Sequence, residues 1–198
     1  MKKYNLFKRS LIIVVVFALV YLTFNFQYSL KHLTFYFWNE QQQKTGTPGE
    51  KIEMSANSLA IESLGIYAPI IFAPKADEAE YEKLLNSGVV HVPDTALPGE
   101  QGNCYIFGHS SDLFWHPGKY KTIFALLPQI KIGEKIVLTG NSGVKYTYQV
   151  LESASVNADR TDLLLVKDKQ RKILTLQTSW PLGTALKRWI VVAELTSP

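Results

Sequence analysis

A run of 21 uncharged residues, Ser10 to Leu30, is the strongest single constraint on how this chain can fold. It contains SLIIVVVFALVYLTF, and as a helix it would extend about 30 Å, the thickness of a bilayer core. Lys2, Lys3, Lys8 and Arg9 precede it, which predicts a cytoplasmic basic tail over residues 1–9 and an exterior location for everything after residue 30. A cleaved secretion signal is the competing reading, but Tyr21, Phe24 and Phe26 stand where a small-x-small cleavage site belongs. The expectation is an uncleaved single-pass anchor over residues 10–30.

The anchor also explains the charge. Four of the 21 basic residues lie in the tail, leaving 17 against 17 acidic residues, so the exterior part is neutral. No basic stripe with interleaved aromatics remains, and no nucleic-acid partner is expected. Cys104 is the single cysteine, which excludes an intrachain disulfide and a thiolate metal site. His32, His91, His109 and His116 show no ligand spacing, so neither a metal nor another cofactor is predicted.

Residues 31–50 read as a juxtamembrane stalk and linker. Tyr36 and Trp38 suit a membrane surface or a continuing helical stalk, and KTGTPGE breaks regular structure. Residues 51–198 are long enough for one domain with its own core. Short β-favouring runs recur there between turn signals: SLAIESL, APIIFA, GNCYIFGH, EKIVLTG, KYTYQVLESASV, KILTLQT and RWIVVAEL. Helical stretches are few, chiefly AEYEKLLNSG and KTIFALLP. This pattern predicts a mainly β barrel or sandwich with short helices.

The last two runs, Lys172 to Thr178 and Trp189 to Leu195, are joined by a loop that begins at Ser179, carries Pro181 and Gly183, and ends at Arg188. A hydroxyl and a guanidinium would therefore stand together at the ends of neighbouring strands, where sites are commonly built. His109 closes an earlier apolar strand and is the nearest partner in chemistry. Cys104 lies five positions before His109, so strand alternation turns it to the opposite face and into the core. His91 is expected at a strand end near the surface and His116 in a turn. Trp115 and Trp180 are read either as groove walls or as core.

The order SLAIESLGIYAPIIFA, GVVHVPDTALPGEQGNCYIFGHSS, FALLPQIKIGEKIVLT and LTLQTSWPLGTALKRWIVVAEL, behind an N-terminal anchor, resembles the sortases, class D/E-like. The resemblance covers about residues 52–195 and rests on the TLxT signature, the W-P that follows, and an arginine nine residues after the nucleophile position. It implies an eight-stranded sortase-type β-barrel and a membrane-anchored transpeptidase. Such an enzyme recognises an LPxTG-like motif near the C-terminus of secreted proteins and joins them to an amine on a cell-wall precursor or pilin. By position His109 is the acid and base, Arg188 the substrate or oxyanion cation, and Ser179 stands where the family carries cysteine. By the same analogy Ser153 to Gln170 would connect the sixth and seventh strands.

That serine changes the chemistry. A thiolate is reachable near neutral pH, whereas a hydroxyl needs an oriented base during attack. Asp112 is close to His109 in sequence but sits three residues on, in a turn, so no residue is assigned to orient the imidazole. Three activities follow: acyl transfer through Ser179, sorting-motif binding without cleavage, and hydrolysis of such peptides by a serine enzyme.

Overall fold

The computed structural model describes residues 2–24, 30, 33, 54–111, 118–160 and 170–197. Helix α1 covers Lys2–Phe24, with side chains described from Lys8 to Tyr21. Leu11, Ile12, Ile13, Val14, Phe17 and Tyr21 each expose between 54% and 72% of their surface, an apolar girdle around the helix. Among the described residues no helix is long and apolar enough to cross a membrane. The anchor expected over 10–30 runs through residues 25–29, which lie outside them, as do the stalk aromatics Tyr36 and Trp38 and the linker at 44–50.

Eight strands follow: β1 (Ser58–Ile61), β2 (Ile66–Phe72), β3 (Val89–His91), β4 (Gly102–Phe107), β5 (Lys135–Thr139), β6 (Lys145–Asn157), β7 (Lys172–Trp180) and β8 (Lys187–Ser197). They close into a barrel in the order β1-β2-β3-β4-β7-β8-β6-β5, as expected for the sortase-type architecture. β2·β3 and β4·β7 are parallel and the other pairs antiparallel. Parallel neighbours need a long crossover, and that requirement shapes the site. Helix α2 (Glu78–Leu85) fills the β2–β3 crossover, and the β4–β7 crossover contains all of β5 and β6.

Strand alternation sorts the side chains. Cys104 and Ile106 of β4, Leu174 and Leu176 of β7, and Val191 and Ala193 of β8 fill the interior with Phe124 and Tyr148. The intervening residues of β4 and β7, Tyr105, Phe107, Gln177 and Ser179, therefore take the outward face. Asp77 caps α2 by accepting from the Glu80 amide at 2.9 Å. Leu85 then packs with Ala73, Val90 and Phe107 in a small second core, with Tyr81 edge-on to Phe107 at 5.0 Å between centroids. That patch fixes α2 beside the outward face of β4.

Three expectations are corrected. KTIFALLP forms successive turns and then a 3-10 helix (Leu127–Gln129). Its amides bond three residues back (Ala125 to Thr122, Leu127 to Phe124), while the Phe124 amide goes to His109, so no α-helical ladder forms. β6 runs to Asn157, with register shifts at Thr147/Tyr148 and Val150/Glu152, so Ser153–Asn157 belongs to a strand paired with β8 rather than to a connection. His91 does close a strand, but it is 4% exposed rather than near the surface. The β3–β4 loop folds over it: Nε2–H donates to the Ala96 carbonyl at 2.8 Å, and Thr95 Oγ1 lies 3.2 Å away.

Burial lowers the His91 pKa, outweighing the Ala96 hydrogen bond and the Glu100 charge, which both raise it. The unfolded chain thus binds this proton more tightly than the native state. Stability from His91 is full above about pH 6.5 and is lost as pH falls through the lower folded value. Thermal melts should show the parent losing Tm between pH 7 and pH 5 faster than His91→Gln; parallel profiles would refute this.

Candidate active site

A cleft of about 850 Å³ opens on the outward face of β4 and β7. It is bounded by Glu78, Tyr81, Glu82 and Leu85 of α2, by Phe107 to Ser111, by Gln177 to Ser179, by Leu182 to Ala185 and by Arg188. Tyr21 of α1 also borders it. His109, 70 residues before Ser179, therefore shares one cavity with Ser179 and with Arg188, which stands nine residues further on in the next strand. Its walls differ in charge, with carboxylates on the α2 side and the guanidinium across from them.

Each of the three is held by backbone geometry. Ser179 and Arg188 are register partners in the antiparallel β7·β8 pair, which puts both side chains on one face. Both strands run further than the sequence indicated, to Trp180 and from Lys187, so the pair sits within the ladder instead of flanking a loop. Arg188 Nη1 donates to the carbonyls of Ala185 at 2.9 Å and Lys187 at 3.1 Å. Its Nε and Nη2 hold no partner among the described residues, so a planar fork of donors remains for a ligand.

His109 follows β4 by two residues. The Gly108 amide donates to Gln177 O at 3.1 Å, Thr178 Oγ1 donates to Gly108 O at 2.8 Å, and the Phe124 amide donates to His109 O at 2.9 Å. A Cβ on Gly108 would stand 2.8 Å from the Phe124 ring, so the approach of this turn to the core requires glycine. β4 and β7 are parallel and in register as far as Phe107↔Gln177, so continuing two residues brings His109 level with Ser179. Ser111 Oγ accepts from the Gly183 amide at 2.9 Å, tying the loop after His109 to the loop after Ser179.

The imidazole of His109 has no hydrogen-bond partner among the described residues. Asp112, Trp115 and His116 lie outside them. Glu194 pairs with Arg171, through hydrogen bonds of 2.9 and 2.7 Å, and not with Arg188. Trp180 packs edge-on to Trp189 at 5.1 Å, Trp189 Nε1 donates to Ser153 Oγ at 3.0 Å, and Trp180 is not among the residues that line the cleft.

Cys104 is 1% exposed in the interior cluster, and burial pushes its thiol far above the ordinary range. Alternation alone predicted that placement. A thiol reagent should leave the native chain unmodified over the time that labels Ser179→Cys at one thiol per chain; rapid labelling of the parent would show Cys104 to be accessible.

Sequence reasoning missed the α2 wall, Ser111 and the outward pair Tyr105 and Gln177. For Gln177 a signal existed, since it stands two residues before Ser179 and so shares its face.

The sortase-domain family model matches residues 59–196. Sortase D of Bacillus subtilis is 25% identical over 139 residues, covering 69% of this chain and 61% of that protein's length. Among solved structures, the lid mutant of Corynebacterium diphtheriae sortase A is 26% identical with a TM-score of 0.59, covering 79% of this chain and 77% of that one. Sortase C-1 of Actinomyces oris, 24% identical, superposes with a TM-score of 0.60 over 81% of this chain and 84% of that one.

Proposed function

The chain belongs to the sortase family, and on that premise we propose that its cleft takes an extended LPxTG-like peptide as acyl donor and passes the acyl group to an amine. The observation that carries this reading is the register pairing of Ser179 with Arg188 in the cavity that also holds His109.

In this reading Ser179 Oγ attacks the scissile carbonyl while His109 takes its proton. Arg188 and nearby backbone N–H groups stabilise the oxyanion. His109 returns the proton to the leaving amine as the C–N bond breaks, leaving an ester. An amine acceptor, such as one on a cell-wall precursor or pilin, then attacks that ester and releases Ser179. Residues 10–30 anchor the chain in the bilayer with residues 1–9 in the cytoplasm and the barrel outside. The exposed apolar girdle of α1 supports this, since it needs a non-aqueous cover. Insertion of that run would draw Tyr21 away from the cleft.

A second reading is favoured by one observation: the His109 imidazole lacks an orienting partner among the described residues, and a hydroxyl depends on one more than a thiol does. The cleft would then bind sorting motifs without cutting them. Incubating the full chain and Ser179→Ala with LPxTG-like peptides, with and without an amine, separates the readings. Amine-dependent ligation lost in Ser179→Ala supports transfer, amine-independent cleavage supports hydrolysis, and saturable binding without product supports the binder. A peptide panel that is neither bound nor cut overturns the proposal.

A further inference from the structure

Beneath the cleft, Tyr105 Oη and Gln177 Oε1 are 2.5 Å apart. The tyrosine hydroxyl donates to the amide oxygen. The amide therefore turns its oxygen to the tyrosine and its NH2 group away. Tyr105 is 3% exposed, so packing holds the ring. Burial pushes its pKa up to about 12, with the Arg188 charge as the smaller, opposing influence, and the hydroxyl stays a donor at working pH. That influence also puts Arg188 within electrostatic reach of the pair.

Gln177 lines the cleft, and its Nε2 holds no acceptor among the described residues. That NH2 group opens onto the cleft, where a ligand acceptor can take the place of water. Gln177 and Ser179 share the outward face of β7 two residues apart, roughly 6.6–6.8 Å along the strand. An extended peptide repeats its same-facing carbonyls at that same interval. We propose that Gln177, held by Tyr105, is a specificity-determining donor that takes the backbone carbonyl two residues from the scissile bond. A peptide shifted by one residue turns that carbonyl away, so the contact reads register as well as presence. Tyr105 is a positioning residue in this scheme. The inference rests on the peptide acyl-donor reading above.

The test uses the full chain in detergent and a fluorescein-labelled LPxTG peptide, read by anisotropy. Gln177→Met, similar in size but without the donor, should bind about tenfold more weakly, the loss expected for one hydrogen bond. Tyr105→Phe, which frees the amide to rotate, should lose less. Peptides carrying an alkene isostere two residues to either side of the scissile bond remove the acceptor without altering the protein. One of them should bind the parent about tenfold more weakly, yet bind Gln177→Met no worse than the intact peptide does. In the Ser179→Cys background the Gln177→Met change should raise KM and leave kcat nearly unchanged. Equal binding by parent and Gln177→Met, or losses that multiply, overturns the assignment and leaves the peptide reading standing. A parent that binds no labelled peptide removes both.

Discussion

Ser179→Cys is expected to raise peptide cleavage and amine ligation by about a thousandfold over the parent. A serine nucleophile depends on a base that removes its proton during attack, and loss of the group that orients the histidine costs such enzymes roughly ten-thousandfold. His109 is anchored through its backbone, and its imidazole has no partner among the described residues. A cysteine avoids most of that dependence, because a useful fraction of thiolate exists near neutral pH and sulfur is the stronger nucleophile. The site can receive it: position 179 lies half-buried in the cleft, paired with Arg188. The measurement is chromatographic separation of cleaved and amine-ligated peptide for parent, Ser179→Cys and Ser179→Ala. If the thiol variant yields no more product than the alanine variant, acyl transfer at residue 179 is wrong.

Gly88→Ala should be among the most damaging single-methyl additions to the barrel, lowering stability by about 3 kcal/mol, near the upper end for overpacking. An added Cβ would lie 2.3 Å from the Pro69 carbonyl oxygen, 3.1 Å from its carbon and 3.3 Å from Ile71 Cγ1. The obstacle is backbone, not the free end of a side chain, so β2 and β3 must separate. They are joined by only three paired positions, Ile70↔Val89, Ile71↔Val90 and Phe72↔His91. Gly143→Ala is the contrasting control: its φ of +79 makes alanine strained, but nothing lies within 4 Å of the new methyl, and about 1 kcal/mol is expected. For a domain of this size Gly88→Ala should therefore melt roughly 6–10 °C below the parent and Gly143→Ala a few degrees below it. Equal melting temperatures for the two variants would show that the β2–β3 contact yields freely.

Much of this was legible in residue order. Seven of the eight strands stand out as apolar or alternating runs, because the two faces of a strand impose a period of two. That same period put Cys104 in the interior. Val89–His91 is too short to display a period; a strand end was expected at His91, but its place between β2 and β4, and the burial that follows, come only from the pairing. The family motif singled out His109, Ser179 and Arg188 because the chemistry is carried by residue type at fixed spacing.

What no linear reading supplies is how far the strands run and what stands opposite what. β7 and β8 continue through Ser179 and Arg188 because each finds the other's hydrogen-bonding edge, and pairing between strands depends on both partners at once. The α2 wall arises from a small apolar patch shared by Leu85, Val90 and Phe107, and the outward amide of Gln177 from a tyrosine 72 positions away. Local pattern decides which face a side chain takes, whereas closure of the barrel decides which faces meet. Closure is cooperative over the whole domain and has no local signature.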